Sequence, residues 1–405
     1  MIFERFMDHT PEVHFMPDFD PNPSTDWYGI KALWYEGPQY KQHKTKVFAY
    51  IGYPQAKPGQ KVPAVVLVHG GGGHAYPEWI RRWNEKGFAA IAMDTTGFLP
   101  SEQWKGLAGT EEHIEGQYVQ ELYGELAESG YVLGPNNSEM TDYDLPLEEQ
   151  WMYHAVADTI LAHNILIADN NVDASKIGIV GISWGAVITA LAIGYDIRYA
   201  FAVPIYGSGY IDCIPGPTKI PSRFRILSVK ENWSASDRFN HINCPVLWQC
   251  WRPDPCFSLE GNSLSYKATK KANSFFSISP DMHHSHWHGW HALENYRFAQ
   301  RIVNNELPLI RASEDPKDFN AFSFTLDIPE DFSDVRVQIV YSETPLNYGE
   351  DGEMTNEWKI HPVTISGNAV TGQSPVSASC YYVEMSGKAD DTSYLSSTAL
   401  VHRSN

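Results

Sequence analysis

The run Ile177-Gly178-Ile179-Val180-Gly181-Ile182-Ser183-Trp184-Gly185-Ala186-Val187 leaves a chain few ways to fold. Residues up to Ile182 read as a strand buried on both faces, and WGAVITALAIGYD reads as a helix, so Ser183 alone has to turn the chain. So sharp a turn brings the strand and helix backbones together. Glycines at 181 and 185 are what it needs, because a side chain at either place would collide with the neighbouring strand or helix. The spacing G-x-S-x-G in this setting projects the Ser183 hydroxyl at a helix N-terminus, as a candidate nucleophile.

The flanking chain repeats the same rhythm. VPAVVLVHGG is a continuous β-branched run, EWIRRWNEKGF carries Trp79, Trp83 and Phe88 at helical spacing, and AAIAMDTTGF is the next buried strand. The helical EEQWMYHAVADTILAHNILIAD follows, then the short strands RYAFAVPIYG, CPVLWQC and SFFSIS, and HALENYRFAQRIVNN as a last helix beginning near His291. Strands alternating with helices predict a doubly wound, mostly parallel α/β sheet over residues 61–312, with functional groups at the carboxyl ends of strands. Residues 1–60, with TKVFAYIGYPQ as a strand ending in a turn, predict a lead-in hairpin packed on that domain. Beyond it the texture changes. Val335, Val337, Ile339 and Tyr341 alternate with polar residues, and turn residues recur at short intervals, so 315–405 is expected to be a small all-β sandwich.

Thirty basic residues against 49 acidic ones give a formal charge of −19. Such a field repels polyphosphate and anionic membrane, which argues against nucleic acid or membrane as a partner and for a neutral substrate. A homo-oligomer remains compatible with it. No apolar run approaches the roughly 20 residues that span a bilayer. The N-terminal MIFERFMDHTPEV lacks the basic start and apolar core of a secretory signal, so the expectation is cytoplasmic, with a trimmed secreted form as the alternative. Cys213, Cys244, Cys250, Cys256 and Cys380 are odd in number, dispersed and without a CxxC pair, which predicts thiols rather than a disulfide framework.

Three further segments complete a constellation around Ser183. His69-Gly70-Gly71-Gly72-Gly73 follows a buried strand, where a glycine loop supplies a backbone N–H to a tetrahedral oxyanion; Gly71 is the candidate donor and the amide of Trp184 the second. Phosphate binding by that loop would require G-x-x-x-x-G-K-[ST], which is absent. A serine nucleophile needs a base and an orienting acid, in the chain order Ser, Asp or Glu, His. Asp254 lies in a tight turn between two prolines after CPVLWQC, better placed than Asp212 or Asp237. The base is expected between SFFSIS and the last helix, where PDMHHSHWHGWH holds five histidines: His283, His284, His286, His288 and His291.

Taken together, HGGGG, AIAMDTTG, GISWGA, PVLWQCWRPDP and MHHSHWHGW resemble the α/β-hydrolase serine esterases of the acetyl xylan esterase and dienelactone hydrolase-like family, over roughly residues 25–400. The resemblance implies an α/β-hydrolase fold, a trailing β domain, an esterase-type triad and no cofactor. The family's M-x-H-x-H loop, carried over onto Met282, makes His284 the base, with His286 as runner-up. This sequence departs from the family at Trp251-Arg252, where a small glycine-bearing turn is usual, and at Ala186, where glycine is usual. The implied activity is deacetylation of carbohydrates or small esters. Trp184, Tyr76 and Trp287 are candidates to line the substrate mouth, with core or rim packing as the equal alternative.

Other readings are weighed on the same residues. His284, His286 and His288 alternate as in an extended loop and two or three could converge on a metal, but no H-E-x-x-H or paired cysteines accompany them, so no metal is expected. A peptidase of the prolyl-oligopeptidase type shares the triad but usually carries an N-terminal propeller. A dienelactone hydrolase proper would usually carry Cys at position 183. A non-catalytic scaffold whose aromatic-rich β domain binds glycans is the remaining class.

Overall fold

A computed structural model of the chain describes residues 2–21, 29–97, 131–132, 140–211, 227–269 and 273–403. Asp212 and Cys213 lie outside the described residues, as does most of the stretch from 98 to 139. Two compact units are present: Met1–Ala202 with Ser222–His241, and Val203–Pro221 with Ile242–Asn405.

In the first unit β1 (Val13–Phe15), β2 (Lys31–Tyr40) and β3 (His43–Gly52) form an antiparallel meander. Lys41 and Gln42 close the β2–β3 hairpin at φ 49 and 68, the left-handed pair that a two-residue hairpin turn requires. The sheet continues through β5 (Ala89–Met93), β4 (Val62–Val68) and β7 (Val172–Ile182), with β4 parallel to both neighbours. The short β6 (Tyr131–Val132) pairs with β3. All of β5 and nearly all of β4 are buried, which is why their sequences are continuous apolar runs.

Helices carry the connections. After the small α1 (Glu4–Met7), α2 (Pro77–Glu85) starts with proline at its first position and buries Trp79, Ile80 and Trp83. On α3 (Trp151–Ala168) every residue from Trp151 to Leu166 is buried, so its polar groups need partners inside the protein. The Asn164 amide donates to the carbonyls of Phe6 and His9 at 2.6 and 2.7 Å, which fastens α1. His163 Nδ1 lies 2.8 Å from Asp196 Oδ2, and Arg198 also donates to Asp196. The helix α4 (Trp184–Tyr195) follows β7, and α5 (Leu227–Trp233) ends at an indole that donates to Gln150 Oε1 at 2.7 Å.

The strand β8 (Phe201–Ile205) begins in the first unit, just after the Ala200 N–H donates to Ile177 O. It ends in the second unit, where Ile205 is in register with Gln249 of β9 (Leu247–Trp251). Strand β10 (Phe275–Ser279) runs parallel to β9, and α6 (Leu259–Thr269) lies between them in sequence. Then come α7 (His286–His291) and α8 (Leu293–Val303). The last helix thus starts at Leu293, close to His291 as expected, and a separate short helix that was not expected precedes it from His286. Ser285 is the reason: its hydroxyl accepts the His288 N–H and caps a short helix that the run of histidines concealed.

From β11 (Arg311–Ala312) onward the chain forms two antiparallel sheets. One has the order β11, β12 (Ala321–Asp327), β16 (Ala369–Gln373), β15 (Thr364–Ser366). The other runs β14 (Lys359–Pro362), β13 (Ser333–Ser342), β17 (Cys380–Ala389), β18 (Thr392–Ser397), with β19 (Val401–His402) on β17. Burial alternates strictly along β12, and Phe322, Phe324 and Leu326 share one core with Val337, Ile339, Val370, Tyr381 and Val383. Each such side chain contributes about 1.5–3 kcal/mol on burial, which makes the pair of sheets a sandwich about one core. The fold class is thus the expected one, a mostly parallel α/β sheet with added antiparallel sheets. Among the described residues no helix is long and apolar enough to cross a membrane.

The buried ring of His154 on α3, whose Nε2 lies 2.9 Å from Glu148 O, has its pKa pushed down by burial from 6.5 to about 4. Between those values the unfolded chain binds a proton that the folded chain does not, so stability present above pH 6.5 is lost as the pH falls toward 4. A shift of this size corresponds to about 3 kcal/mol. His69 and His163, also lowered by burial, act in the same direction. Urea midpoints measured across this pH range are expected to fall with acidification and to fall less steeply in His154→Gln; an identical slope in the variant would assign the effect elsewhere.

Candidate active site

Ser183 occupies the N-cap of α4 with φ 57 and ψ −117, a left-handed conformation that costs a non-glycine residue about 1–3 kcal/mol. The surroundings hold it there. A Cβ on Gly181 would stand 2.0 Å from Gly185 O, and a Cβ on Gly185 would stand 2.0 Å from Val68 O and 2.6 Å from His69 O. Both are backbone clashes that no rotamer relieves. The two glycines therefore let β7, α4 and the end of β4 approach within backbone contact, and the serine takes the strain of the turn between them.

The same packing places the glycine loop. A Cβ on Gly71 would meet Trp184 Cδ1 at 2.6 Å, so the loop backbone passes directly against the Trp184 indole. Gly72 turns the loop at φ +69, and the Gly73 N–H donates to Gly70 O at 3.0 Å. His69 anchors its start: Nε2 accepts the Thr95 N–H at 2.9 Å, which leaves the ring proton on Nδ1, 2.7 Å from Gly70 O. Burial lowers the His69 pKa and keeps the ring neutral, as that pattern requires. The Thr95 carbonyl in turn accepts from the Trp151 indole at 2.7 Å, and the Trp151 ring meets Trp184 edge-on. The anchoring role of His69 and Thr95 was not read from the sequence; HGG and DTT after adjacent strands were the only trace of it.

In the second unit the acid and one histidine come together. Asp254 is buried, and its Oδ1 accepts the N–H groups of Cys256 and Phe257 at 2.7 and 2.9 Å. Its other oxygen lies 2.7 Å from His284 Nδ1. The His284 side chain is 19% exposed and packs against the rings of Tyr206 and Phe257. Tyr206, itself at φ 35, donates its hydroxyl to Ser285 O and so ties down the residue after His284. Burial, then the Asp254 charge, raise the Tyr206 pKa, so the phenol stays a donor.

The other histidines of the run have different surroundings. His283 lies between Trp251 and His288, His288 Nδ1 is 2.8 Å from the Ser285 hydroxyl, and His291 Nδ1 is 2.6 Å from Trp287 O. His286 opens α7. The ligand atoms that converge are not those of His284, His286 and His288. Among the described residues, Asp254, Cys256 and His284 present one ligand atom each, all within 4.8 Å of one another.

Of the candidate substrate residues, Trp287 is 50% exposed with one face stacked on His291. Tyr76 is only 4% exposed, with its ring on His74, and burial takes it out of the role of an open stacking face. Asp237 sits in a short helix of the first unit, Ala235–His241. Cys244, Cys250, Cys256 and Cys380 carry thiols rather than disulfides. The departure at Arg252 has a visible partner. Its guanidinium lies over the Trp358 ring at 5.3 Å and donates to Tyr382 Oη at 3.2 Å, while the Met354 N–H reaches Pro253 O at 3.5 Å.

Replacing Gly185 with Ala is expected to cost more than about 3 kcal/mol, at the upper end of overpacking penalties, because the clash is with backbone. The check is the urea midpoint of the purified variant; a loss below 1 kcal/mol would mean that β4 and α4 can part easily.

No family model matches the chain, and no curated protein matches it. Solved structures do. An acetyl xylan esterase from Paenibacillus sp. R4 is similar at 18% identity and a TM-score of 0.48, covering 72% of this chain and 88% of its own. Acetyl xylan esterase 1 from Thermoanaerobacterium sp. JW/SL YS485 is similar at 15% identity and a TM-score of 0.46, covering 74% and 92%. The Pyrococcus horikoshii acylaminoacyl peptidase gives 14% identity and a TM-score of 0.47, covering 74% of this chain and 42% of its own.

Proposed function

We propose that the protein is a serine hydrolase of carboxylic esters, with Ser183 as nucleophile, His284 as general base and Asp254 as the acid that orients it. The observation that carries this reading is the backbone of Ser183, held at φ 57 between two glycines that admit no side chain. Strain of this kind at a serine opening a helix has a use when the hydroxyl must stand clear of the chain.

The chemistry follows from each residue's surroundings. The Nδ1–H of His284 donates a hydrogen bond to Asp254, so the lone pair is on Nε2, the nitrogen able to take the Ser183 proton as Oγ attacks an ester carbonyl. Asp254 then stabilises the imidazolium, and the amides of Cys256 and Phe257 keep that carboxylate in place. The N–H groups of Gly71 and Trp184 are assigned to the oxyanion, where one donor contributes about 2.7–4 kcal/mol in comparable sites. The protonated imidazole returns its proton to the leaving alcohol, and water releases the acid from the acyl-enzyme by the same steps in reverse. Acetylated carbohydrates or small neutral esters are the proposed substrates, in keeping with the acidic net charge.

Acetate release from acetylated glycans and p-nitrophenyl acetate is expected, and Ser183→Ala should lower kcat by roughly 10⁴–10⁶-fold. His284→Ala is expected to match it while His286→Ala costs far less. The reverse ranking would move the base. Aminoacyl-nitroanilide cleavage at rates rivalling acetyl esters would replace the esterase with a peptidase. Asp254→Asn should cost about 10⁴-fold by imposing the wrong imidazole tautomer.

A further inference from the structure

We propose that Asp254, Cys256 and His284 form a binding site for a soft divalent cation, Zn²⁺ above all, and that occupation of this site switches the base off. The binding stands on the three residues alone, whereas the inhibition rests on the hydrolase reading.

Carboxylate, thiolate and imidazole are the ligand types of protein zinc sites. Here one atom of each already lies within 4.8 Å of the others. Asp254 Oδ1 is taken by two backbone N–H groups, which leaves Oδ2, facing His284 Nδ1 at 2.7 Å, as the ligand oxygen. Zinc bonds of about 2.0–2.3 Å at tetrahedral angles set ligand atoms about 3.3–3.6 Å apart. The Asp–His pair has to open by at least about 0.6 Å, with the carboxylate oxygen moving off the axis of the ring nitrogen to make room for the metal, while the thiol closes in. Cys256 is suited to that movement, since it belongs to the turn whose amides hold Asp254 and its side chain is only half-buried.

The charge and the protons balance. One carboxylate and one thiolate neutralise Zn²⁺, and the thiol proton leaves to solvent. The proton on His284 Nδ1 cannot remain where the metal binds, and in the neutral ring it passes through solvent to Nε2. An Nε2–H has no lone pair to accept a proton from serine. The metal thus abolishes the base by fixing the wrong tautomer and by taking the carboxylate oxygen that selected the right one.

The full chain, its Cys256→Ser and Cys256→Ala forms and its Ser183→Ala form are titrated with Co²⁺, whose bond to thiolate gives a sulfur-to-metal charge-transfer band. Zn²⁺ inhibition of p-nitrophenyl acetate hydrolysis is read as a fraction of each protein's own metal-free rate. A cobalt band displaced by Zn²⁺ and lost in both Cys256 variants is expected. So is a rise of at least about tenfold in the half-inhibiting Zn²⁺ concentration in those variants, since loss of even an outer partner of a metal site costs about 10–100-fold in affinity. EDTA should restore the rate. No band, a band that survives in both variants, or equal inhibition with and without the thiol overturns the site. A band dependent on Cys256 in a protein whose ester hydrolysis does not depend on Ser183 sustains the metal site and sinks the hydrolase reading; Ser183-dependent hydrolysis with no band does the opposite.

Discussion

The distance of 2.0 Å between a Cβ built on Gly185 and the carbonyl oxygen of Val68 expresses the constraint on which most of the first unit depends. Three backbones meet there: the end of β4, the end of β7 and the first turn of α4. Because they touch, the loop leaving β4 is delivered to the Trp184 indole, and the turn leaving β7 has no conformation open to it but the strained one at Ser183. Interiors at crystal-like density transmit such a constraint, and the neutral His69, set between the Thr95 amide and the Gly70 carbonyl, is fixed by it.

The second unit solves a different problem, that of holding a hydrogen-bonded Asp–His pair on irregular chain. Asp254 and His284 both lie on connections after parallel strands, where mobility is the default. Asp254 is fixed by two amides of its own turn, and the segment with His284 by the Tyr206 hydroxyl on the next residue's carbonyl and by the capped helix at Ser285. Each tie is a polar bond from a buried or half-buried group, the kind that costs most to break.

What was legible in the sequence and what was not divides along physical lines. Buried strands announce themselves by uninterrupted β-branched residues, and the alternation of Val335, Val337, Ile339 and Tyr341 announced β13, because both patterns are set by the strand's own surroundings. The glycines around Ser183 were legible for the same reason: steric exclusion acts on the very residues that display it. Cys256 near the Asp–His pair, the His69–Thr95 contact and the Tyr206 anchor were not, since each joins residues far apart in the chain or rests on a side chain with no pattern. Tyr76 looked available because an aromatic after a glycine loop gives no sign of being buried. The helix from His286 was hidden by composition, histidine and tryptophan being indifferent helix formers, while its one clear signal was the serine before it.

The contact of Arg252 with Trp358 and Tyr382 joins a residue of the Asp254 turn to partners more than a hundred positions further along the chain. A turn built of small residues would be self-sufficient. This one also draws on residues of the antiparallel sheets that come after the α/β part of the chain. The side chain of Arg252 is therefore held from the C-terminal sheets, so a change at Trp358 or Tyr382 reaches the turn that carries Asp254 without touching any residue of that turn.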